Sequence, residues 1–428
     1  MTQATEVLKA APKRHDREIL ALALPAFGAL VAEPLFVMAD SAIVGHLGTP
    51  QLAGLGIAAA LLTTAVSVFV FLAYATTAAV SRRVGAGDLR AAIRQGMDGI
   101  WLALLLGAAV VAFVLPAAPW LISAFGASDT VAPYAITYLR ISALGIPAML
   151  MVLAATGVIR GLQDTRTPLY VAIAGFALNA GLNVGLVYGA GLGIAGSAWG
   201  TVIAQCAMAG AYLVVVVRGA RKHGASLRPD AAGIRACAQA GVPLLVRTLS
   251  LRAILMIATA VAARLGDADI AAHQILLSLW SLLAYALDAI AIAGQAIIGR
   301  YLGADDTDGA KAVCRRMVQW GIVSGIVLGA LVIAARPLIV PLFTTCLLYT
   351  GVVFVLDGVL MGAGDGRYLA RAMLATLAVF APAALLVPTV GGGLTTLWWA
   401  MTLMMLVRLV TLQLRARSGR WAIAGATR

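Results

Sequence analysis

Arg82-Arg83-Val84-Gly85-Ala86-Gly87-Asp88 returns later in the chain as Arg300-Tyr301-Leu302-Gly303-Ala304-Asp305-Asp306, and that recurrence decides the fold. Working outward at the same offset of 218 positions, residues 25–88 overlie 243–306, so that Pro25 falls on Pro243, Gly48 on Gly266 and Ala53 on Ala271. A chain that repeats itself over such a length is built from two like halves. In a membrane-grade chain, two like bundles can rock against each other around a central site, which is the usual signature of a transporter.

The rest of the composition agrees. The 428 residues are 62% hydrophobic and only 11% charged, with a mean hydropathy of +0.96, whereas a soluble domain carries about a quarter charged residues. Apolar runs of about 20 residues, enough to cross a bilayer core at ~1.5 Å per residue, recur near 18–44, 52–80, 95–117, 131–158, 167–188, 192–217, 238–263, 270–298, 317–335, 338–361, 368–389 and 392–414. The expectation is an all-α polytopic membrane protein with twelve transmembrane helices in two pseudo-symmetric six-helix lobes. The amino-terminal lobe would span 1–217 and the carboxyl-terminal lobe 236–428. Residues 218–235, basic and containing Gly224 and Pro229, would link them.

The net charge of +13 is set by topology and gives no reason to expect a nucleic-acid partner. With both termini in the cytoplasm, the basic residues crowd the cytoplasmic tails and loops, as at Arg82/Arg83, Arg218/Arg221/Lys222 and Arg315/Arg316. Only Arg264 and Arg336 fall on the opposite face, while Arg140, Arg247, Arg252 and Arg408 lie within spans. This is the positive-inside pattern of an inner or plasma membrane protein with an even number of spans. The first apolar run is too long for a cleaved signal peptide and reads as an uncleaved anchor. Cys206, Cys237, Cys314 and Cys346 lack metal-ligand spacing, so no disulfide, metal or cofactor is expected.

The two halves differ in length. Phe125 matches Phe343 at offset 218, but Gly161-Leu162-Gln163-Asp164-Thr165-Arg166 matches Gly362-Ala363-Gly364-Asp365-Gly366-Arg367 at offset 201. About 17 residues are therefore absent from the second half between 343 and 362. The tenth helix is expected to be truncated: the ~16 residues from Cys346 make ~24 Å of helix against a ~30 Å core, unless residues from Pro337 onward join it. Cys346-Leu347-Leu348-Tyr349-Thr350 at the join is what the transposase end TGTCTCTTATACACA encodes, so an assembly junction and a natural shortening are both open readings.

Acidic groups inside spans are costly and are functional candidates by default. The first helix carries Glu33 and Asp40, seven residues apart and so within about 20° of one face and roughly 10 Å apart along the axis. Pro34 lies between them and Pro25 before them, each weakening the helix. A titratable group beside a weakened helix is what a proton-driven switch needs; the alternative is a carboxylate held by hydroxyls or amides for structure alone. The fifth helix offers Asn179 and Asn183, one turn apart, as amide partners for such a carboxylate or as interhelical packing groups.

The second half is equipped differently, with Arg247 and Arg252 in the seventh helix, Asp288 and Gln295 on one face of the eighth, and Asp357 in the tenth. Ala258 stands where the repeat places Asp40. An ion pair of Asp288 with Arg247 or Arg252 is the structural alternative to a substrate contact, and Arg140 has no assignable partner. His46, closing the first span, is a candidate cap or interface residue as much as a titrating one. No phosphate loop, metal cluster or nucleophile elbow appears, so neither ATP drive nor an enzyme is expected.

At Leu24-Pro25 and on through Asp40-Ser41-Ala42-Ile43-Val44-Gly45-His46-Leu47-Gly48, the chain resembles the multidrug and toxic compound extrusion (MATE) family, in its DinF-like branch. The resemblance continues through Arg160-Gly161-Leu162-Gln163-Asp164-Thr165-Arg166-Thr167-Pro168, Asp288 with Gln295, and Leu356-Asp357-Gly358-Val359-Leu360-Met361-Gly362-Ala363-Gly364-Asp365. It implies two six-helix lobes around a V-shaped cavity and export of varied, often cationic amphiphiles against a proton or sodium gradient. It also implies that Asp40 is the coupling carboxylate, with Asn179 and Asn183 its network. Some relatives place an Asp where this chain has Asn183, which leaves Glu33, Asp288 and Asp357 to compensate.

The expected function is a secondary active antiporter, acting as a monomer in the bilayer, that exports organic cations or amphiphiles in exchange for protons or sodium. The alternative is a lipid-linked precursor flippase, which would favour a strongly basic central cavity and which Arg140, Arg247 and Arg252 keep open. A membrane-embedded enzyme acting on lipid has no supporting constellation.

Overall fold

The computed structural model describes residues 2–334 and 341–427, with the side chains of 2–14, 33–37, 331–334 and 341–349 outside the described set. All regular structure among the described residues is helical. The first half contains α1 (Thr2–Gly45), α2 (Thr49–Val68), α3 (Phe71–Gly85), α4 (Leu89–Ala124), α5 (Ala132–Ala143), α6 (Ile146–Gly161), α7 (Arg166–Val184), a π-helical turn (Gly185–Gly189) and α8 (Gly193–Lys222). The second contains α9 (Ala231–Leu265), α10 (Asp267–Gly303), α11 (Thr307–Ala334), α12 (Pro341–Gly362), α13 (Gly366–Leu386) and α14 (Leu394–Arg417). Among the described residues, eight helical runs are long and apolar enough to cross a membrane, and α5 with α6, bent by 48°, makes a ninth. With α1, α11 and α12 these make the expected twelve.

The repeat is visible in the backbone itself. Gly48 and Gly266 precede α2 and α10 with φ of 135° and 141°, a region that only glycine enters readily. Asp88 caps α4 by accepting from Ala91 N at 2.8 Å, and its counterpart Asp306 accepts from Gly309 N at 2.7 Å at the start of α11. Between them and the preceding helices, Gly87 and Asp305 both turn the chain with positive φ, 78° and 60°.

The halves also diverge where local chemistry differs. α10 is one helix of 37 residues, whereas the first half breaks between α2 and α3. There the Thr64 and Ser67 hydroxyls donate to the carbonyls of Ala60 and Thr64, a back-bonding that bends helices. Phe69 N then bonds Val66 O at 2.9 Å in a tighter turn. The tenth span is less short than the sequence join implies: α12 has 22 residues, ~33 Å of helix, because it takes in residues 341–345 ahead of Cys346. Cys346 itself lies outside the described side chains, and Pro337 outside the described residues.

The chain forms two compact units that exchange segments. Unit 1 comprises residues 1–27, 77–87 and 240–428; unit 2 comprises 28–76 and 88–239. Within unit 2, Gly157 of α6 lies against the backbone of Ala73. Within unit 1, Gly358 of α12 lies against Ala291 of α10, the same pair carried through the repeat. Small residues let helix backbones approach closely where lipid offers no hydrophobic drive for association.

Candidate functional site

Unit 2 gathers a polar cluster around Asp40, which is 7% exposed near the end of α1. Asn183 Nδ2 donates to Asp40 Oδ1 at 2.7 Å, and Ser197 Oγ donates to the same oxygen at 2.7 Å. Tyr138 OH donates to Asp40 Oδ2 at 3.3 Å. The network extends outward: Asn183 Nδ2 also reaches Asn179 Oδ1 at 3.1 Å, and Asn179 Nδ2 donates to Thr201 Oγ1 at 3.2 Å. All of these residues are buried, so their hydrogen bonds are made in a low dielectric where each is strong.

Local structure explains the convergence. Asn183 sits one residue before the end of α7, immediately ahead of the π-helical turn in which Ala190 N bonds Gly185 O at 2.8 Å. Such turns inside helices are frequent at functional sites because they re-aim neighbouring side chains. Tyr188 in that turn donates to Ile43 O of α1 at 2.7 Å, tying the turn to the helix that carries Asp40. Across from it, Gly200 of α8 leaves room for Asn183 Oδ1, which a Cβ would overlap. Beside the cluster lies a cavity of about 250 Å³ lined by Ala32, Ala39, Asp40, Ile43, Phe176 and Asn179, among others.

Unit 1 holds a different cluster. Arg247 of α9 grips Asp357 of α12 with two donors, Nε to Oδ1 at 3.2 Å and Nη2 to Oδ2. Arg408 of α14 adds Nη2 to Oδ2 at 3.2 Å. All three residues are buried, at 8%, 4% and 4% exposure for Arg247, Asp357 and Arg408. Asp288 of α10 is half-buried. Gln295 is buried with Nε2 3.7 Å from Met361 Sδ.

The structure thus brings Asp40, Asn179 and Asn183 together, and separately Arg247 with Asp357. Arg252, one of two candidate partners for Asp288, is exposed on α9 and lies on a different face of the helix from Arg247. Arg140 is exposed and donates from Nε to Leu115 O at 3.3 Å, and His46 Nδ1 lies 2.7 Å from Ala42 O. The side chain of Glu33 is outside the described residues. Sequence reasoning missed Tyr138, Ser197 and Thr201, which carry no unusual signal in apolar helices. It also left Arg408 without a role, although an arginine inside a span calls for a buried anion. Among the described residues no cluster of metal-ligating side chains is present.

The arrangement has known counterparts. The family model described as MatE matches residues 25–184 and 243–346. Protein DETOXIFICATION 44, chloroplastic, of Arabidopsis thaliana is 31% identical over 94% of this chain and 83% of its own length. DNA damage-inducible protein F of Escherichia coli (strain K12) is 29% identical over 96% of this chain and 94% of its own. Among solved structures, an outward-facing multidrug resistance MATE transporter of the MOP superfamily superposes with a TM-score of 0.84 at 19% identity, covering 94% of this chain and 95% of that one. A MOP superfamily transporter from Pyrococcus furiosus, described by the reverse polarity of its binding pocket, gives 0.80 at 20% identity with the same coverages. Two like helical halves, a buried carboxylate network and these matches place the chain in the MATE family of multidrug and toxic compound efflux transporters.

Proposed function

We propose that the chain exports cationic or amphiphilic organic compounds in exchange for protons, with Asp40 as the proton-carrying group. The observation that carries this reading is the donor set around Asp40: Asn183, Ser197 and Tyr138, all uncharged, beside a mostly apolar cavity. An ionised Asp40 is an acceptor only and suits three donors, while a protonated Asp40 can donate to a hydroxyl that reverses its role. The carboxylate can therefore exist in both states without a counter-ion. The proton is the favoured ion because the three groups that meet the Asp40 oxygens all donate to them.

In this cycle, deprotonated Asp40 favours the cationic substrate and protonation releases it. The halves 1–217 and 236–428 alternate as lobes joined by 218–235, both termini lie in the cytoplasm, and the monomer acts in the inner or plasma membrane. The flippase reading needs a strongly basic cavity and gains less support, since Arg247 and Arg408 both bind Asp357. The test is efflux of a fluorescent cation from vesicles with an imposed pH gradient. Asp40→Asn should abolish gradient-driven export with the protein still in the membrane; retained proton-driven export in that variant would remove Asp40 from the mechanism.

A further inference from the structure

The two copies of the duplicated segment meet within unit 1. Gly85 at the end of α3 abuts the carbonyl of Arg300, and Gly303 at the end of α10 abuts the carbonyl of Arg82, so closely that a Cβ at either would overlap it. Residue 82 corresponds to 300 and 85 to 303, so the contact is reciprocal, the self-complementary pattern of a two-fold interface. What fastens each copy is not symmetric. Arg300 pairs with Glu18 near the amino terminus, and both side chains are partly exposed, at 36% and 20%. Arg82 is buried to 2% exposure and is held by the carboxyl-terminal tail.

That tail folds back onto the crossing. Arg82 Nη1 donates to Gly425 O at 2.9 Å, and Nη2 donates to Ile423 O at 3.1 Å and Ala363 O at 2.8 Å. Gly425 N in turn bonds Leu302 O at 3.0 Å. Trp421, 1% exposed, donates its indole N–H to Ala416 O at 2.9 Å and anchors the return. The fork of guanidinium donors suits several carbonyls at fixed positions, which a lysine ammonium matches poorly. Residues 77–87 belong to unit 1, although the chain on both sides of them, 28–76 and 88–239, belongs to unit 2. For the end of α3 to leave unit 1, Arg82 must give up its carbonyl partners together.

We propose that residues 419–425 form an autoinhibitory latch, which holds the end of α3 in unit 1 through Arg82 and limits the rate at which the transporter changes state. The latch is independent of the coupling ion and of Asp40.

The experiment compares the full chain with a variant ending at Arg417 and with Arg82→Lys, each reconstituted in lipid. Hydrogen exchange by mass spectrometry and transport kinetics are read on the same samples. In the shortened variant, exchange at 77–87 should accelerate by about ten-fold or more, the consequence of losing charge-assisted bonds. Exchange at the Asp40 cluster should be unchanged, and kcat should rise with KM constant. Arg82→Lys should shift both readouts in the same direction by less. Unchanged exchange at 77–87, or unchanged or lower kcat in both variants, overturns the latch. Faster exchange spread through all of unit 1 overturns it too, since the tail would then be a folding strap.

Discussion

Asp40 in unit 2 and Asp357 in unit 1 are both carboxylates buried in membrane spans, yet they are held in opposite ways. Asp40 meets an amide and two hydroxyls; Asp357 meets two guanidinium groups. The repeat sharpens the contrast, because each cluster occupies positions that are apolar or neutral in the other half. Asp40 corresponds to Ala258, and Asn179 and Asn183 to Phe380 and Ala384, while Arg247 and Arg408 correspond to Ala29 and Ala207. The two halves share backbone turns and glycines but not polar chemistry: the proposed proton switch at Asp40 has uncharged partners, and Asp357 has charged ones. Held by Arg247 and Arg408 at once, Asp357 is a pin that ties α9, α12 and α14 together.

The largest expected effect tests that pin. Asp357→Ala leaves two buried guanidinium groups without their anion, and breaking a buried ion pair by removing one partner costs about 3–5 kcal/mol. The yield of folded protein and its Tm in detergent should fall steeply. A Tm close to that of the parent would show that unit 1 does not depend on the cluster. Asp40→Asn should behave in the reverse manner: its amide oxygen can still accept from Ser197 and Asn183, so stability should change by less than about 1 kcal/mol while gradient-driven export disappears. Equal losses of stability in the two variants would break the distinction between switch and pin.

Much of this was legible in the sequence, and the gaps have physical causes. The offset of 218 located Gly48 with Gly266, and the structure gives both the same unusual φ. Asp40, Asn179 and Asn183 stood out because polar groups are rare in apolar helices and must find partners there. Tyr138, Ser197 and Thr201 did not, since a hydroxyl in a span can satisfy itself on its own helix, as Thr76 does on Leu72 O at 2.6 Å. The Arg247–Asp357 pairing was beyond reach for another reason: the two residues lie 110 positions apart, and only tertiary packing brings α9 against α12.

A smaller effect is expected from Asn183→Asp. Position 183 touches Asp40 at 2.7 Å, and two carboxylates that close cannot both ionise readily. The variant should retain transport and carry about one more proton per substrate, read from the gradient at which net flux reverses. An unchanged stoichiometry would mean that the neighbouring site does not exchange its proton during the cycle.

The smallest effect concerns the ion pair of Asp16 with Arg316, which water reaches. Asp16, in the amino-terminal third of α1, receives Arg316 Nε and Nη2, both at 2.6 Å, and Trp320 Nε1 at 2.8 Å. The Arg316 guanidinium, helped by the Trp320 indole, holds the Asp16 carboxyl below its usual value of 3.8. The folded chain therefore binds this proton less readily than the unfolded chain does. The stabilisation is complete above the usual value and is lost as pH falls through the lower, folded one. With the two side chains 24% and 34% exposed, solvent screening limits the pair to about 1 kcal/mol or less. Asp16→Asn should lower Tm slightly at pH 7, and the difference from the parent should close as pH drops below about 4. A Tm deficit at neutral pH as large as that of Asp357→Ala would mean that burial is not what separates the strong ion pairs of unit 1 from the weak ones.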